Sequence, residues 1–189
     1  MTRSAKHVLS LAVVAAVFMA AVGCATTGGA ALAPVTCRLL SPAEVATYAP
    51  SRPINPFIAH GSFILKSPDE FVVLDLALNL PEQARVSVAA SVNDEVGTPV
   101  AALWTRTQMH MYWDHMQDIT DRDDRIRQDT LDRYYPPASD FNARRGRTEW
   151  ILVLVGKNPV PRPATVQVSV SLNGAEAQMF SFPLPPVKK

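Results

Sequence analysis

Three kinds of side chain offer chemistry in this 189-residue chain: clustered aspartates, scattered histidines and two cysteines. Asp118, Asp121, Asp123 and Asp124 invite a calcium loop. An EF-hand needs oxygen ligands at its first, third and fifth positions and glycine at the sixth. Counted from Asp121, the fifth position is Arg125 and the sixth is Ile126, so the pattern fails. The same acids precede arginines by four: Asp118 and Arg122, Asp121 and Arg125, Asp123 and Arg127, with Asp129 and Arg133 further on. That order is the favourable one along a helix, and the run reads as a solvated helix face. Past residue 40 the histidines are His60, His110 and His115. The last two are five apart, which does not put them on one helix face as a zinc pair requires. His115, Asp140 and Glu149 make a triad only on paper. Neither a G-x-S-x-G elbow nor a phosphate-cradling glycine loop accompanies them. The expectation is a protein that is not an enzyme and takes no metal and no cofactor.

The first cysteine, Cys24, has a more specific setting. Arg3 and Lys6 form a short basic start, and residues 8–22 carry no charge and are mostly Val, Ala, Leu, Met and Phe. This is the pattern of a secretory signal. The run is shorter than the roughly 20 residues a membrane-spanning helix needs. Small residues lead into the cysteine as Ala21-Val22-Gly23-Cys24.

That stretch resembles the lipobox of bacterial lipoproteins, with Gly23 and Cys24 matching and Ala21 standing where leucine is commonest. The resemblance implies cleavage before Cys24. It also implies a thioether-linked diacylglycerol on the sulfur and a third acyl chain on the new amino group. Each buried methylene contributes about 0.8 kcal/mol, and one chain alone anchors only marginally; two or three hold the protein at membrane lipid. Ala25 supplies no acidic retention signal of the enterobacterial type, so the resemblance points to the outer membrane, with either face open. Residues 1–23 are then the signal peptide and 24–40 the lipidated N-terminus and flexible tether, whose glycines favour reach. A single domain is expected over 41–189.

With Cys24 acylated, Cys37 has no partner in the chain and is expected as a partly buried free thiol. Without acylation a disulfide between the two remains open. No histidine is placed locally to activate Cys37. Cleavage removes two of the eighteen basic residues, leaving sixteen against seventeen acids. A near-neutral chain argues against nucleic acid as a partner.

The elements that would position any site are mainly strands. Val72, Leu74, Leu76, Leu78 and Leu80 alternate with polar residues; so do Val86, Val88, Ala90 and Val92, and Val166, Val168, Val170 and Leu172. A period of two places one face on a core and one in water. "WILVLVG" at 150–156 is apolar throughout and predicts a central strand covered on both sides. Asn173-Gly174 is a hairpin turn signal. Seven strands are expected, at about 57–66, 71–80, 84–93, 98–112, 148–157, 165–173 and 177–184. The fold class is mainly β: an immunoglobulin-like antiparallel β-sandwich, with a β-barrel as the alternative. Ser41, Pro42 and Glu44 form a capping-box start for a short helix stopped by Pro50. A helical insertion over about 113–147, between strands four and five, contains a helix near 115–133 ended by Pro136-Pro137.

Around that insertion cluster Trp104, His110, Tyr112, Trp113, Tyr134 and Tyr135, followed by Arg144, Arg145 and Arg147. Aromatics with arginines are common interface anchors, so Trp104, Tyr112, Trp113, Tyr134, Tyr135, Arg144 and Arg145 are the expected protein-binding patch. Packing of the insertion on the sandwich would use the same aromatics. The functional expectation is a membrane-anchored lipoprotein with a structural or protein-binding role in the cell envelope. Binding of a small ligand or carbohydrate is the alternative, and a hydrolase comes third.

Overall fold

The leucines of "FVVLDLALNL" alternate with Asp75, Ala77 and Asn79, and this stretch lies in a strand paired on both sides within a single antiparallel sheet. The structure is a computed structural model that describes residues 34–59, 69–114 and 120–185. Among these the strands are β1 (Val35–Leu39), β2 (Asp69–Leu80), β3 (Ala84–Asp94) and β4 (Pro99–Leu103), then β5 (Asp140–Ala143), β6 (Gly146–Lys157), β7 (Ala164–Leu172) and β8 (Gln178–Leu184). Their order in the sheet is β1-β2-β6-β4-β3-β7-β8, with β5 paired to the start of β3.

β4 hydrogen-bonds to β6 on one side and to β3 on the other, and a register shift between Val92 and Asn93 bends the sheet there. The edge strands β1 and β8 come close at the far side. The sheet is therefore nearly closed into a barrel. Inside lie Leu74, Leu76, Leu78, Val86, Val88, Leu152, Leu154, Val166 and Val168, all buried. Pro183 on β8 blunts one edge, since proline offers no backbone donor to a further strand.

A second core covers the other face of β2 and β6. Val73, Ile151, Val153 and Val155 point outward and meet Leu40, Val45, Phe57, Met109, Trp113, Leu131 and Tyr135. These come from α1 (Pro42–Val45), α2 (Arg106–Asp114), α3 (Asp121–Tyr134) and the segments beside them. β6 is thus apolar on both faces because it is covered on both. Burying each such side chain contributes about 1.5–3 kcal/mol.

Several local expectations need correction. The strand expected over 98–112 stops at Leu103, and the chain turns into α2. Thr105 and Gln108 are the cause. The Thr105 backbone N–H donates to Gln108 Oε1 at 2.8 Å, and the Gln108 N–H donates to Thr105 Oγ1 at 3.2 Å. This reciprocal cap starts a helix whatever the aromatic content that follows. Residues 35–39, taken as tether, are strand β1, registered from Val35 opposite Leu78 to Leu39 opposite Leu74. β5 is a further strand, so the described residues hold eight rather than seven. Residues 57–59 of the expected first strand are not extended strand, and the rest of it lies outside the described residues, as does 115–119 of the expected helix. α3 begins after Thr120, whose hydroxyl accepts from the Asp123 N–H at 3.2 Å. Asp121, Asp123 and Asp124 occupy its first turn, where negative charge offsets the helix dipole.

The capping box at Ser41 forms, though α1 is one turn long and continues as a 3-10 turn, Ala46–Tyr48. Glu44 takes the Ser41 N–H at 2.8 Å and also pairs with Arg38 of β1. Arg38 Nε reaches Asp75 at 3.1 Å. The Arg38 guanidinium first, and then the Ser41 N–H and hydroxyl, pull the Glu44 carboxyl from 4.5 down to about 2. A carboxyl lowered by folding stabilises the fold above its ordinary pKa and loses that contribution as pH falls through the folded value. The cap is therefore complete above pH 4.5 and fails progressively toward pH 2. Carboxyl NMR is expected to give Glu44 a midpoint near 2, rising in Arg38→Ala; an ordinary midpoint would remove Arg38 from the cap.

Candidate functional site

The aromatic residues picked out by sequence do come together, but inside the molecule. Trp113 is 2% exposed and Tyr135 1%. The Trp113 indole donates to Pro56 O at 3.2 Å, and the Arg127 guanidinium lies 4.3 Å above its ring. Tyr135 donates its hydroxyl to Trp104 O at 2.5 Å and accepts from the Val153 N–H at 3.4 Å. Burial raises the Tyr135 phenol well above its ordinary pKa, so it stays protonated. Trp104, Tyr112 and Phe71 contact one another, and Tyr134 meets Tyr48 edge-on at 5.2 Å. The arginines do not join them: Arg144 and Arg145 are exposed in the turn from β5 to β6.

Of the expected binding patch, Trp113 and Tyr135 are buried, Trp104, Tyr112 and Tyr134 are half-buried, and Arg144 and Arg145 are exposed. Its two largest buried members hold the helical layer to the sheet and are closed to a partner. Arg127, 1% exposed, belongs to the same structural set. Its Nη2 donates to Pro53 O at 3.3 Å and its Nη1 lies 3.5 Å from Asp124. Burial lowers its pKa, with Asp124, Asp123 and Asp114 opposing.

The concave surface lies elsewhere. A cleft of about 720 Å³ opens where β1 has ended but β2 continues, so residues 69–72 lack a β1 partner. Leu39, Leu40, Val45, Phe57, Ile58, Phe71 and Val73 give it an apolar wall. Glu70, Arg162, Asn158 and Arg52 line its polar side. Glu70 and Arg162 form an ion pair, each mostly buried. Glu70 Oε2 also accepts the Val160 N–H at 2.8 Å, while Arg162 donates to Val160 O at 2.7 Å and to Pro185 O at 2.6 Å. The pair ties the β6–β7 connection to the start of β2 and the end of β8. Its polar atoms are committed to that clamp, which leaves the cleft suited to apolar contact. Sequence reading missed this site because its lining is assembled from five separate segments, none with a motif.

No family model matches this sequence, and no curated protein matches it. A solved structure similar in part is a beta-glucuronidase from glycoside hydrolase family 2. The identity is 12% and the TM-score 0.34, over 67% of this chain and 10% of that chain. The fold described above rests on its own hydrogen-bond register.

Among the described residues no group of three or more His, Cys, Asp or Glu side chains is placed to hold a metal. His110 lies 3.5 Å from Asp132; His60 and His115 lie outside the described residues, as do Asp118 and Cys24. Among the described residues no helix is long and apolar enough to cross a membrane. Asp140, one of the paper triad, is hydrogen-bonded to Ser87 and faces Arg85 at 4.0 Å.

Cys37 is a free thiol on β1, partly buried against the barrel interior. Burial first, and the Asp75 charge second, push its pKa from 9.0 to about 12. Thiolate is the reactive form. At pH 8 the folded protein is expected to react with a thiol reagent at least about a hundredfold more slowly than the same chain in denaturant. Equal rates would mean that the thiol is open to solvent.

Proposed function

We propose that this chain is a bacterial lipoprotein acylated on Cys24, holding an immunoglobulin-like β-sandwich in the cell envelope for a binding role. The observation that carries the anchoring is the run from Arg3 and Lys6 through uncharged residues 8–22 to Ala21-Val22-Gly23-Cys24. The domain follows closely, with β1 starting at Val35. By resemblance to other lipoproteins, Ala25 favours the outer membrane.

The sandwich assignment is supported by strand order. β1-β2-β6-β4 followed by β3-β7-β8 is the arrangement of the two immunoglobulin sheets, ABED and CFG, when strands are lettered along the chain. α2 and α3 are then an insertion between the fourth and fifth letters. A binding role is supported by the cleft, which lies within the 300–1,000 Å³ range usual for ligand sites and is mostly apolar. Of its two carboxylates, Glu70 is occupied in the clamp with Arg162, and Asp69 stands beside it at the start of β2. The ligand class is apolar: a hydrophobic segment of an envelope protein, or, as the second reading favoured by the cleft volume, a small apolar molecule.

Labelling cells with a fatty-acid analogue tests the anchor. Wild type is expected to carry label on a mature N-terminal cysteine, and Cys24→Ala to carry none. Equal label in both, or a mature chain starting at another residue, would overturn the assignment.

A further inference from the structure

We infer that the end of the domain bearing Arg144 and Arg145 rests on anionic lipid headgroups, and that the cleft faces away from the membrane. The inference builds on acylation of Cys24. Pro34 is hydrogen-bonded to Asn79, Asn79 is opposite Arg147, and Leu80 is opposite Gly146. The tether therefore joins the sheet in the same row as the turn 144–145. From Cys24 to Pro34 the chain has ten residues and reaches about 35 Å at most. The row that receives the tether is thus the part of the domain joined to residue 24 by the shortest length of chain.

The polar groups at this end are distributed unevenly. Arg147 is paired with Glu149 at 2.6 Å, and Arg85 faces Asp140 at 4.0 Å. Arg144 and Arg145 are exposed and make no ion pair among the described residues. Glu82 and Glu176 sit in the neighbouring turns. The end is not a broad basic field. It offers two unengaged guanidinium groups, whose forked donors suit single phosphate groups. Alone, two arginines would bind a membrane weakly. On a tether they act at high effective concentration, and each favours the docked state about fivefold at an anionic surface. The cleft runs along β2 from Val73 to Asp69, six to ten residues from Asn79, or about 20–33 Å at strand spacing. Docking by the arginine turn leaves it open to the aqueous compartment.

The test uses the mature acylated protein in vesicles of phosphatidylcholine, with or without phosphatidylglycerol, carrying a headgroup quencher. A fluorophore is placed at Ala175→Cys, in the β7–β8 turn at the tether end, or at Val96→Cys, in the β3–β4 turn at the other end. Cys37 stays unlabelled because burial holds its thiol protonated. With phosphatidylglycerol, quenching is expected at residue 175 and not at residue 96. Replacing both arginines with alanine should lower the docked-to-undocked ratio about twenty-five-fold, at about fivefold each, and salt should act in the same direction by screening. Acyl chains present but equal quenching at the two positions, or no response to the double substitution, overturns the inference alone. An N-terminal peptide mass without acyl chains overturns the anchoring reading and this inference with it.

Discussion

Gly156→Ala is expected to destabilise the domain by about 3 kcal/mol, the upper end of the usual cost of overpacking. A Cβ at this position would stand 2.7 Å from Val100 O, 2.9 Å from Ala101 Cβ and 2.9 Å from Val160 Cγ2. None of these is the free end of a flexible side chain. Val100 O is backbone, Ala101 is buried on the paired strand, and Val160 is 1% exposed. Relief would require β4 to move away from β6. β4 is also the strand that joins β6 to β3, so the displacement would strain the corner where the sheet turns. Small domains have about 5–15 kcal/mol of total stability, and the loss should show as a large fall in the denaturant midpoint. A change under about 1 kcal/mol would mean that the β4–β6 contact is loose enough to absorb a methyl group.

That corner was invisible in the sequence, and the reason is physical. Alternation reports which face of a strand is buried, and it located β2, β3 and β7 to within a residue or two. The continuous apolar run of β6 was legible as a strand covered on both sides. Asn173-Gly174 was legible as a hairpin, and both residues adopt the left-handed φ values, 52° and 75°, that such a turn needs. β1 and β5 are five and four residues long, too short for a period to stand out, and they owe their conformation to β2 and β3. "LWTRTQMHMYW" misled because its aromatic and β-branched residues suit a strand. The start signal that decides the matter is the pair Thr105 and Gln108, three apart. The candidate site divides the same way. The aromatic residues were found by type, but type does not distinguish an interface from a core. The cleft was missed because Leu39, Phe57, Phe71 and Arg162 meet only through the sheet register.

Burial of the aromatic set makes a second large effect expected. Trp113→Ala should cost about 3–5 kcal/mol, the range for removing a large buried aromatic side chain. Trp113 is 2% exposed, on the face of α2 that meets the sheet. Removing it leaves Pro56 O without its 3.2 Å donor and takes the ring from beneath the Arg127 guanidinium. Among the described residues, Arg127 Nε and Nη1 already have no hydrogen-bond partner. It would then be a buried cation with less cover, so the two residues should not act independently. Arg127→Met keeps much of the volume and removes the charge. Exchanging a buried charge for a packed apolar side chain is often nearly neutral. In a double-mutant cycle, Arg127→Met is expected to recover part of the Trp113→Ala loss, with a coupling of about 0.5–3 kcal/mol. Chemical denaturation of the four proteins measures it. The same experiment decides between the two roles the sequence left open for this tryptophan. An interface anchor would lose a partner and leave the denaturant midpoint where it was. A core residue lowers the midpoint whether or not a partner is present, and the buried indole, its carbonyl acceptor and the stacked arginine require the second outcome.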